Sequence, residues 1–155
     1  MSARRTCLGL IAALALLATG ALVAQQNAAQ SGRFATVDVF IDSAEPLAAW
    51  QFELGERRGA MQVVGIESGD NASYGDPPYY DRAAVERAAA DRIVVADFSL
   101  SPPAGLPVGR TRVATVHVRL SGSAAPDYDV RLVAAGAADG RPIDAKISLD
   151  MRNGR

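Results

Sequence analysis

The chain contains very few of the residues that carry out chemistry in enzymes. Its 155 residues include a single cysteine, Cys7, and a single histidine, His117. One cysteine cannot form a disulfide within the chain, so the stability of the fold must come from its packed core. A lone histidine without an adjacent nucleophile and an orienting acid makes no hydrolytic site, and we expect His117 to face solvent on a strand. No acid–base pair can be assigned, which predicts a protein that is not an enzyme.

Clusters of basic residues are also missing. The 16 Lys and Arg residues are balanced by 17 Asp and Glu residues, and Lys146 is the sole lysine. Affinity for nucleic acid depends on neutralising phosphates with clustered positive charge, so this composition argues against nucleic acid as a partner. Binding of the mature domain to anionic membranes is disfavoured for the same reason.

The only long apolar run lies at the N-terminus and has the layout of a secretory signal peptide. Two arginines precede apolar residues 8–17, and small residues follow at Ala21 and Ala24. Cleavage after Ala24 is the first expectation, and cleavage after Ala21 is the second. An uncleaved anchor is the alternative, because residues 8–24 reach the short end of the ~17–25 residues that span a membrane. The prediction is a secreted or periplasmic protein.

The remainder divides into a short lead, one domain and a tail. After the signal peptide at 1–24, the polar and aperiodic residues 25–33 predict a flexible linker. Residues 34–150 carry regular patterns throughout and have the size of one domain. Residues 151–155 are predicted to be a frayed C-terminal tail.

The predicted domain shows the period-two alternation of half-buried β-strands. In its first strand, for example, Val37, Val39 and Ile41 share one face and Asp38 lies on the other. The same pattern, bounded by Gly, Pro and Asp turns, predicts strands at 34–41, 48–54, 61–66, 93–98, 114–120, 128–134 and 143–149. Short strands in this number predict an all-β fold of two packed sheets, a β-sandwich.

One segment departs from the alternation. Residues 81–92 are rich in alanine and contain neither Gly nor Pro, and Asp81 is placed to cap the start of a helix. Val85 and Ala89, four residues apart, would form its narrow apolar stripe. We predict one short surface helix here.

The order of these segments resembles a known family. Residues 36–41, then 46–54 (PLAAWQFEL) and 61–70 (MQVVGIESGD), are similar to the opening strands of cohesin domains and their carbohydrate-binding-like relatives. Residues 92–98 (RIVVADF) and 109–118 (GRTRVATVHV) resemble the later half of the family's pattern. The resemblance spans nearly the whole predicted domain and rests on apolar and glycine patterns.

This resemblance implies a jelly-roll or Greek-key β-sandwich that binds through a sheet face or edge. In cellulosomal cohesins the partner is a dockerin, whose duplicated Ca²⁺ loops are absent from this chain. Residues 74–92 replace a simpler connection of the family, so a dockerin is one partner among several.

Several oxygen-bearing side chains follow the third predicted strand. Glu67, Asp70, Asn71 and Asp76 would suit a Ca²⁺ loop. Their spacing matches no EF-hand, however, and Asp, Asn and Gly clusters are typical of turns. We predict a turn and no cofactor, with Ca²⁺ as the alternative. Ser68 lacks the spacing of a G-x-S-x-G nucleophile elbow and is assigned to the same turn.

Aromatic side chains provide the candidate binding site. Tyr74, Tyr79 and Tyr80 lie in one Gly- and Pro-rich connection, where a sandwich often keeps its functional loops. Their rings could stack on a sugar or anchor a protein partner. The alternative is that they hold the helix against the sandwich. Trp50 alternates with Phe52 and is predicted to lie in the core.

Together these patterns predict an exported, non-catalytic binding or assembly module of cohesin-like type that engages an extracytoplasmic protein partner. The alternative is a carbohydrate-binding module that recognises polysaccharide through exposed tyrosines.

Overall fold

The computed structural model describes residues 32–74 and 77–152, which form mainly antiparallel strands. The predicted signal peptide and residues 25–31 of the predicted linker lie outside the described residues. The described residues also form a helix, α1 (Arg82–Glu86), and a 3₁₀ helix (Pro103–Gly105). The strands in chain order are β1 (Arg33–Ser43), β2 (Ala49–Glu56), β3 (Met61–Ser68), β4 (Tyr79–Tyr80), β5 (Arg92–Phe98), β6 (Gly109–Leu120), β7 (Tyr128–Gly136) and β8 (Ala145–Arg152).

The strands are arranged in two four-stranded sheets. Sheet I has the order β3-β6-β1-β8, and sheet II has the order β4-β5-β2-β7. All of these pairs are antiparallel, and among the described strands only β4 and β5 are neighbours both in the sheet and along the chain. The other connections between successive strands pass from one sheet to the other, as in a Greek-key sandwich. The predicted all-β, two-sheet β-sandwich with one short surface helix is therefore confirmed.

The core lies between the two sheets and follows from the alternation of the strands. The side chains of β1 at Val37, Val39 and Ile41 are fully buried, whereas Asp42 on the opposite face of β1 is exposed. Burial of each such side chain contributes about 1.5–3 kcal/mol relative to exposure. The same alternation, shifted in register after Val63 and at Val113, buries one side of the neighbouring strands, at Trp50, Phe52, Leu54, Met61, Val63, Ile66, Ile93, Val95, Val113, Val116, Val118 and Leu120. Trp50 is in the core, as predicted.

The helix is shorter than the sequence predicts. Asp81 does cap it, because its carboxylate accepts a hydrogen bond of 2.9 Å from the backbone N–H of Ala84. The helix ends at Glu86, and Ala88 has a positive φ of 57° that helical residues do not adopt. Ala89 is exposed and outside the helix, so the predicted stripe is wrong there, and Ala84 packs beside Val85 instead. In the part of the chain that the structure describes, no helix is long and apolar enough to cross a bilayer.

The ends of two strands also differ from the predicted ones. Ser68, assigned to a turn, is the last residue of β3 and lies opposite Ala114. The final strand begins at Ala145 and runs to Arg152, which lies opposite Thr36 of β1. Two residues of the predicted tail therefore belong to sheet I, because β1 extends far enough to pair with them. Residues 153–155 lie outside the described residues.

A glycine allows the chain to remain beside β6 after β3 ends. The backbone N–H of Asp70 donates a hydrogen bond of 2.9 Å to the carbonyl of Arg112. At Gly69 an added Cβ would overlap that carbonyl oxygen and lie 2.7 Å from the Cα of Val113. Both obstacles are backbone atoms, so no side-chain rotation can relieve the overlap.

We therefore expect Gly69→Ala to lower the free energy of unfolding by about 1–3 kcal/mol, the usual range for overpacking. Gly65→Ala is the matched control, because its Cβ would meet only ordinary contacts 3.9 Å from the His117 ring. Urea denaturation of both variants measures the difference. Equal stability of the two variants would contradict the close approach at Gly69.

Candidate functional site

The outward face of sheet I carries the exposed ring of Phe34 near the start of β1 and, elsewhere, polar groups that bind one another. Asp38 accepts hydrogen bonds from the Thr115 hydroxyl at 2.6 Å and from Nη2 of Arg152 at 2.8 Å. Nη2 of Arg110 lies 2.8 Å from Oδ2 of Asp150. Because these groups are already paired, they offer little free hydrogen-bonding capacity to a ligand.

The outward face of sheet II is different in character. Tyr79 is 64% exposed, Phe98 is 51% exposed and Val94 is 45% exposed. The strand register places these side chains on one surface, which we call the apolar face, together with Ala49, Gln51, Ala96 and Ala134. Leu100, 92% exposed, continues the β5 row beyond the strand. Contiguous exposed apolar surface of this kind marks an interaction site more often than single exposed residues do.

An aromatic pair and a shallow depression give the apolar face its shape. The rings of Tyr79 and Phe98 are stacked, with centroids 6.0 Å apart and an angle of 8° between their planes. Beside Phe98, a depression is lined by residues that include the small side chains of Ala49, Ala96 and Ala134. A protruding side chain of a partner could occupy this depression while it contacts the ring of Phe98.

A charged cluster lies at the other end of the same surface. Glu53 is held between Arg92, at 2.8 Å, and Arg131, at 2.6 Å. These two hydrogen bonds, that of Arg131 first, keep the pKa of the Glu53 carboxyl below its ordinary value. Arg57 lies 3.5 Å from both Asp127 and Asp129. The surface of sheet II thus changes from apolar to charged along β2, which gives it a direction.

Glu56 fixes the chain around this charged end. It is the last residue of β2 and is buried, and its carboxylate accepts hydrogen bonds of 2.9 Å from the backbone N–H groups of Arg58, Ala60 and Asp127. The N–H groups of Ala60 and Asp127 lower the pKa of the Glu56 carboxyl most strongly. One side chain therefore holds both the β2–β3 turn and the segment that leads into β7.

The three predicted site tyrosines do not share one surface. Tyr79 points outward on the apolar face, whereas Tyr80 is half-buried and packs against the core. Tyr74 is also half-buried; its hydroxyl donates to the carbonyl of Leu47, and its ring meets Trp50 edge-on with centroids 5.9 Å apart. Burial raises the pKa of the Tyr74 hydroxyl above its ordinary value. Of the three rings, Tyr79 is the one placed to touch a large ligand.

Three of the four side chains considered for the alternative of a Ca²⁺ loop have other partners in the structure. Glu67 lies 2.9 Å from Nε2 of His117 on the outward face of sheet I, and Asp70 accepts a hydrogen bond of 3.0 Å from Nε of Arg112. The side chain of Asn71 accepts a hydrogen bond of 2.8 Å from the backbone N–H of Ser73, which is turn chemistry. Asp76 lies outside the described residues. Within residues 32–74 and 77–152, no group of three His, Cys, Asp or Glu side chains is placed to hold a metal ion.

Sequence reasoning did not identify Phe98 and Val94 as surface residues. In β5 the side chains of Ile93 and Val95 are buried at 3% and 0%, and period two then puts Asp97 inside at 3% and Phe98 outside. Hydropathy alone suggests the reverse for the last two residues. Asp97 alternates with the buried side chains of β5, and Phe98 does not. This alternation indicates from the sequence that Phe98 faces outward.

The fold, but not the sequence, has recognisable relatives. No protein-family model and no curated protein sequence matches this chain. A cohesin from Acetivibrio cellulolyticus scaffoldin B, solved with a Cel5 dockerin, is similar with a TM-score of 0.54 and 15% identity, covering 77% of this chain and 87% of that chain. A type I cohesin from a Clostridium thermocellum cohesin–dockerin complex gives 0.51 and 13% identity, covering 75% and 84%. A non-cellulosomal cohesin from Archaeoglobus fulgidus gives 0.50 and 14%, covering 74% and 75%. The predicted cohesin-like fold is confirmed.

Replacement of Glu56 tests how the charged end is held. The folded-state pKa of this carboxyl lies below its unfolded value, so its contribution to stability is present above pH ~4.3 and is lost as pH falls through the lowered pKa. Glu56→Gln should lower the free energy of unfolding at pH 7 by about 1.5–3 kcal/mol, as expected for hydrogen bonds to a charged group. Urea denaturation at pH 7 and pH 3 measures this.

The difference in the free energy of unfolding between wild type and Glu56→Gln should be smaller at pH 3 than at pH 7. Glu86→Gln, an exposed change on α1, is the control and should leave stability unchanged at both pH values. If this difference is the same at pH 3 and pH 7, the charge of Glu56 does not contribute to stability.

Proposed function

We propose that this domain is an exported, non-catalytic protein-binding module that engages an extracytoplasmic protein partner through its apolar face. The observation that supports this most directly is the exposed Tyr79–Phe98 pair beside a depression lined with small side chains. Aromatic side chains in such positions dominate the energetics of many protein–protein interfaces. The rest of the face would then exclude water around that anchor.

The chemistry of the surface favours a protein partner. Val94, Ala96 and Phe98 make the face apolar, and few of its side chains are polar groups that could bind sugar hydroxyls. The charged cluster around Glu53 would lie at the rim of an interface, where its field would affect orientation and association rate more than affinity.

The structural relatives support the same class of function. Two of the similar cohesins were solved in complexes with dockerins, so this fold serves elsewhere as one half of a protein pair. A dockerin or another compact protein with an apolar contact surface would suit the apolar face. No catalytic role is proposed for any residue of the chain.

The key test replaces Phe98 and compares it with a matched control. Phe98→Ser removes the exposed ring of the apolar face, and Phe34→Ser removes an exposed ring, 69% accessible, from the outward face of sheet I. The partner is captured from the envelope and secreted fractions of the source organism with the chain from Gln25, purified, and its affinity measured by biolayer interferometry. We expect Phe98→Ser to weaken binding at least ~30-fold, about 2 kcal/mol, while Phe34→Ser changes it little.

Other results would assign a different role. Equal loss in the two variants, or none in Phe98→Ser, would exclude the apolar face as the contact. Binding to insoluble polysaccharide that is lost in Tyr79→Ala would favour a carbohydrate-binding module instead.

Export is tested separately by the mass of the processed chain. Expression of the full chain with its own N-terminal segment in a bacterial host should place the protein outside the cytoplasm. Signal peptidases require small residues next to the cleaved bond, so intact-mass analysis should give a chain that begins at Gln25, or at Leu22 if cleavage follows Ala21. Retention of residues 1–24 in a membrane fraction would indicate an uncleaved anchor, and an unprocessed chain in the cytoplasm would contradict export.

A further inference from the structure

The free edge of β8 differs from the other strand edges of the sandwich. One side of β8 pairs with β1 without interruption from Lys146 to Arg152, and no described residue pairs with its other side. On the opposite edge of sheet I, the backbone N–H of Val63 in β3 donates a hydrogen bond of 2.7 Å to the carbonyl of Ala90. In sheet II, β4 has two residues and β7 is interrupted by a bulge. Bulges, short strands and covering segments protect edges from other chains, and within residues 32–74 and 77–152 the edge of β8 has none of them.

The core is also incompletely covered beside β8. The inward-facing side chains of Ile147 and Leu149 are only half-buried, and Met151 is 56% exposed, whereas their β1 neighbours Ile41 and Val39 are fully buried. Leu132 of β7, on the edge strand of sheet II, is half-buried as well. A further strand beside β8 would cover this apolar row.

The sequence of β8 is complementary to itself in one antiparallel register. With Ser148 opposite Ser148 of a second copy, Lys146 of each chain lies opposite Asp150 of the other. Because residues opposite each other in an antiparallel pair point to the same side, the inward side then pairs Ile147 with Leu149 and Ala145 with Met151.

Neighbouring registers lack this match. A shift that puts Leu149 opposite Leu149 brings Lys146 against Arg152, and a shift that puts Ile147 opposite Ile147 brings Asp144 against Asp150. Shifts by an odd number of residues place inward side chains against outward ones. Parallel, in-register pairing would put each charge beside its own copy. One register alone therefore combines apolar pairs with opposite charges.

Lys146 is free to form an ion pair with a second copy of the chain. Asp150 is already paired with Arg110, whereas Lys146 is exposed and makes no ion pair with any described residue. Exposed lysine on an edge strand also serves to prevent association. The two roles are distinguished by whether the protein dimerises.

We propose that β8 pairs antiparallel with β8 of a second copy, about a twofold axis at Ser148, and joins two copies of sheet I into one eight-stranded sheet. Such an isologous contact closes on itself, so it gives a dimer and not a fibre. The apolar face lies on sheet II and stays free for another partner. The proposal does not depend on the proposed function.

Sedimentation equilibrium of the chain from Gln25, which retains every described residue, tests the dimer. Measured from about 1 to 500 µM, wild type should show a concentration-dependent dimer, as expected for a small interface. Lys146→Asp places like charges opposite each other at two points and should raise the dimer dissociation constant at least ten-fold. Phe98→Ser, on the other sheet, should leave it unchanged. Circular dichroism of each variant verifies the fold.

Cross-linking tests the register independently. The chain from Gln25 has no cysteine, so each variant reports one introduced position. Opposed Cα atoms in antiparallel strands lie about 4.5–5.5 Å apart, within the range that a disulfide spans. Ser148→Cys should therefore form a covalent dimer under mild oxidation, and Ser123→Cys, exposed in the loop before β7, should not.

Three results would overturn the proposal. They are a monomer at all concentrations, a dimer that Lys146→Asp does not weaken, and cross-linking of Ser148→Cys no faster than that of Ser123→Cys. A dimer lost in Phe98→Ser but retained in Lys146→Asp would place the contact on the apolar face.

Discussion

Trp50 and Phe52 of sheet II and Val39 and Val116 of sheet I are buried in one core between the sheets, and the rest of the structure is built around this packing. Because side chains alternate along a strand, burying one set commits the other set to solvent. A slip of one residue would turn the core outward, so the large rings lock the register. The packing of the core thus decides which side chains face outward. Those outward side chains can serve a function without any change to the packing of the core.

The charges of the domain are distributed to suit the two faces. On sheet I they neutralise one another across three strands, as between Asp38 and Arg152. On sheet II they gather at one end, around Glu53, and leave the other end apolar. Exposed ion pairs contribute little to stability, so their effect is mainly to keep one face soluble and to give the other a defined orientation. Stability rests on the core, since the domain contains no cysteine.

The strands could be predicted from the sequence because alternation is a local property. The predicted faces of β1 and β2 agree with the structure for this reason. What decides β5 is not local: Asp97 is buried and Phe98 exposed only because Ile93 and Val95 are held against the other sheet. The end of α1 escaped prediction similarly, since Ala90 is drawn to β3 by a hydrogen bond between residues distant in sequence. Of the candidate site, the sequence indicated Tyr79, but the ring that stacks on it belongs to Phe98, which lies 19 residues further along the chain in β5.

The pairing of Thr36 with Arg152 brings the start of β1 and the end of β8 to the same end of sheet I. In an antiparallel ladder the hydrogen bonds run perpendicular to the strands. Tension applied through both ends of the domain would therefore pull along those bonds and break them one after another, like a zipper, without loading them together in shear. A pulling force that enters and leaves by the two ends of the domain would therefore open sheet I from this corner first.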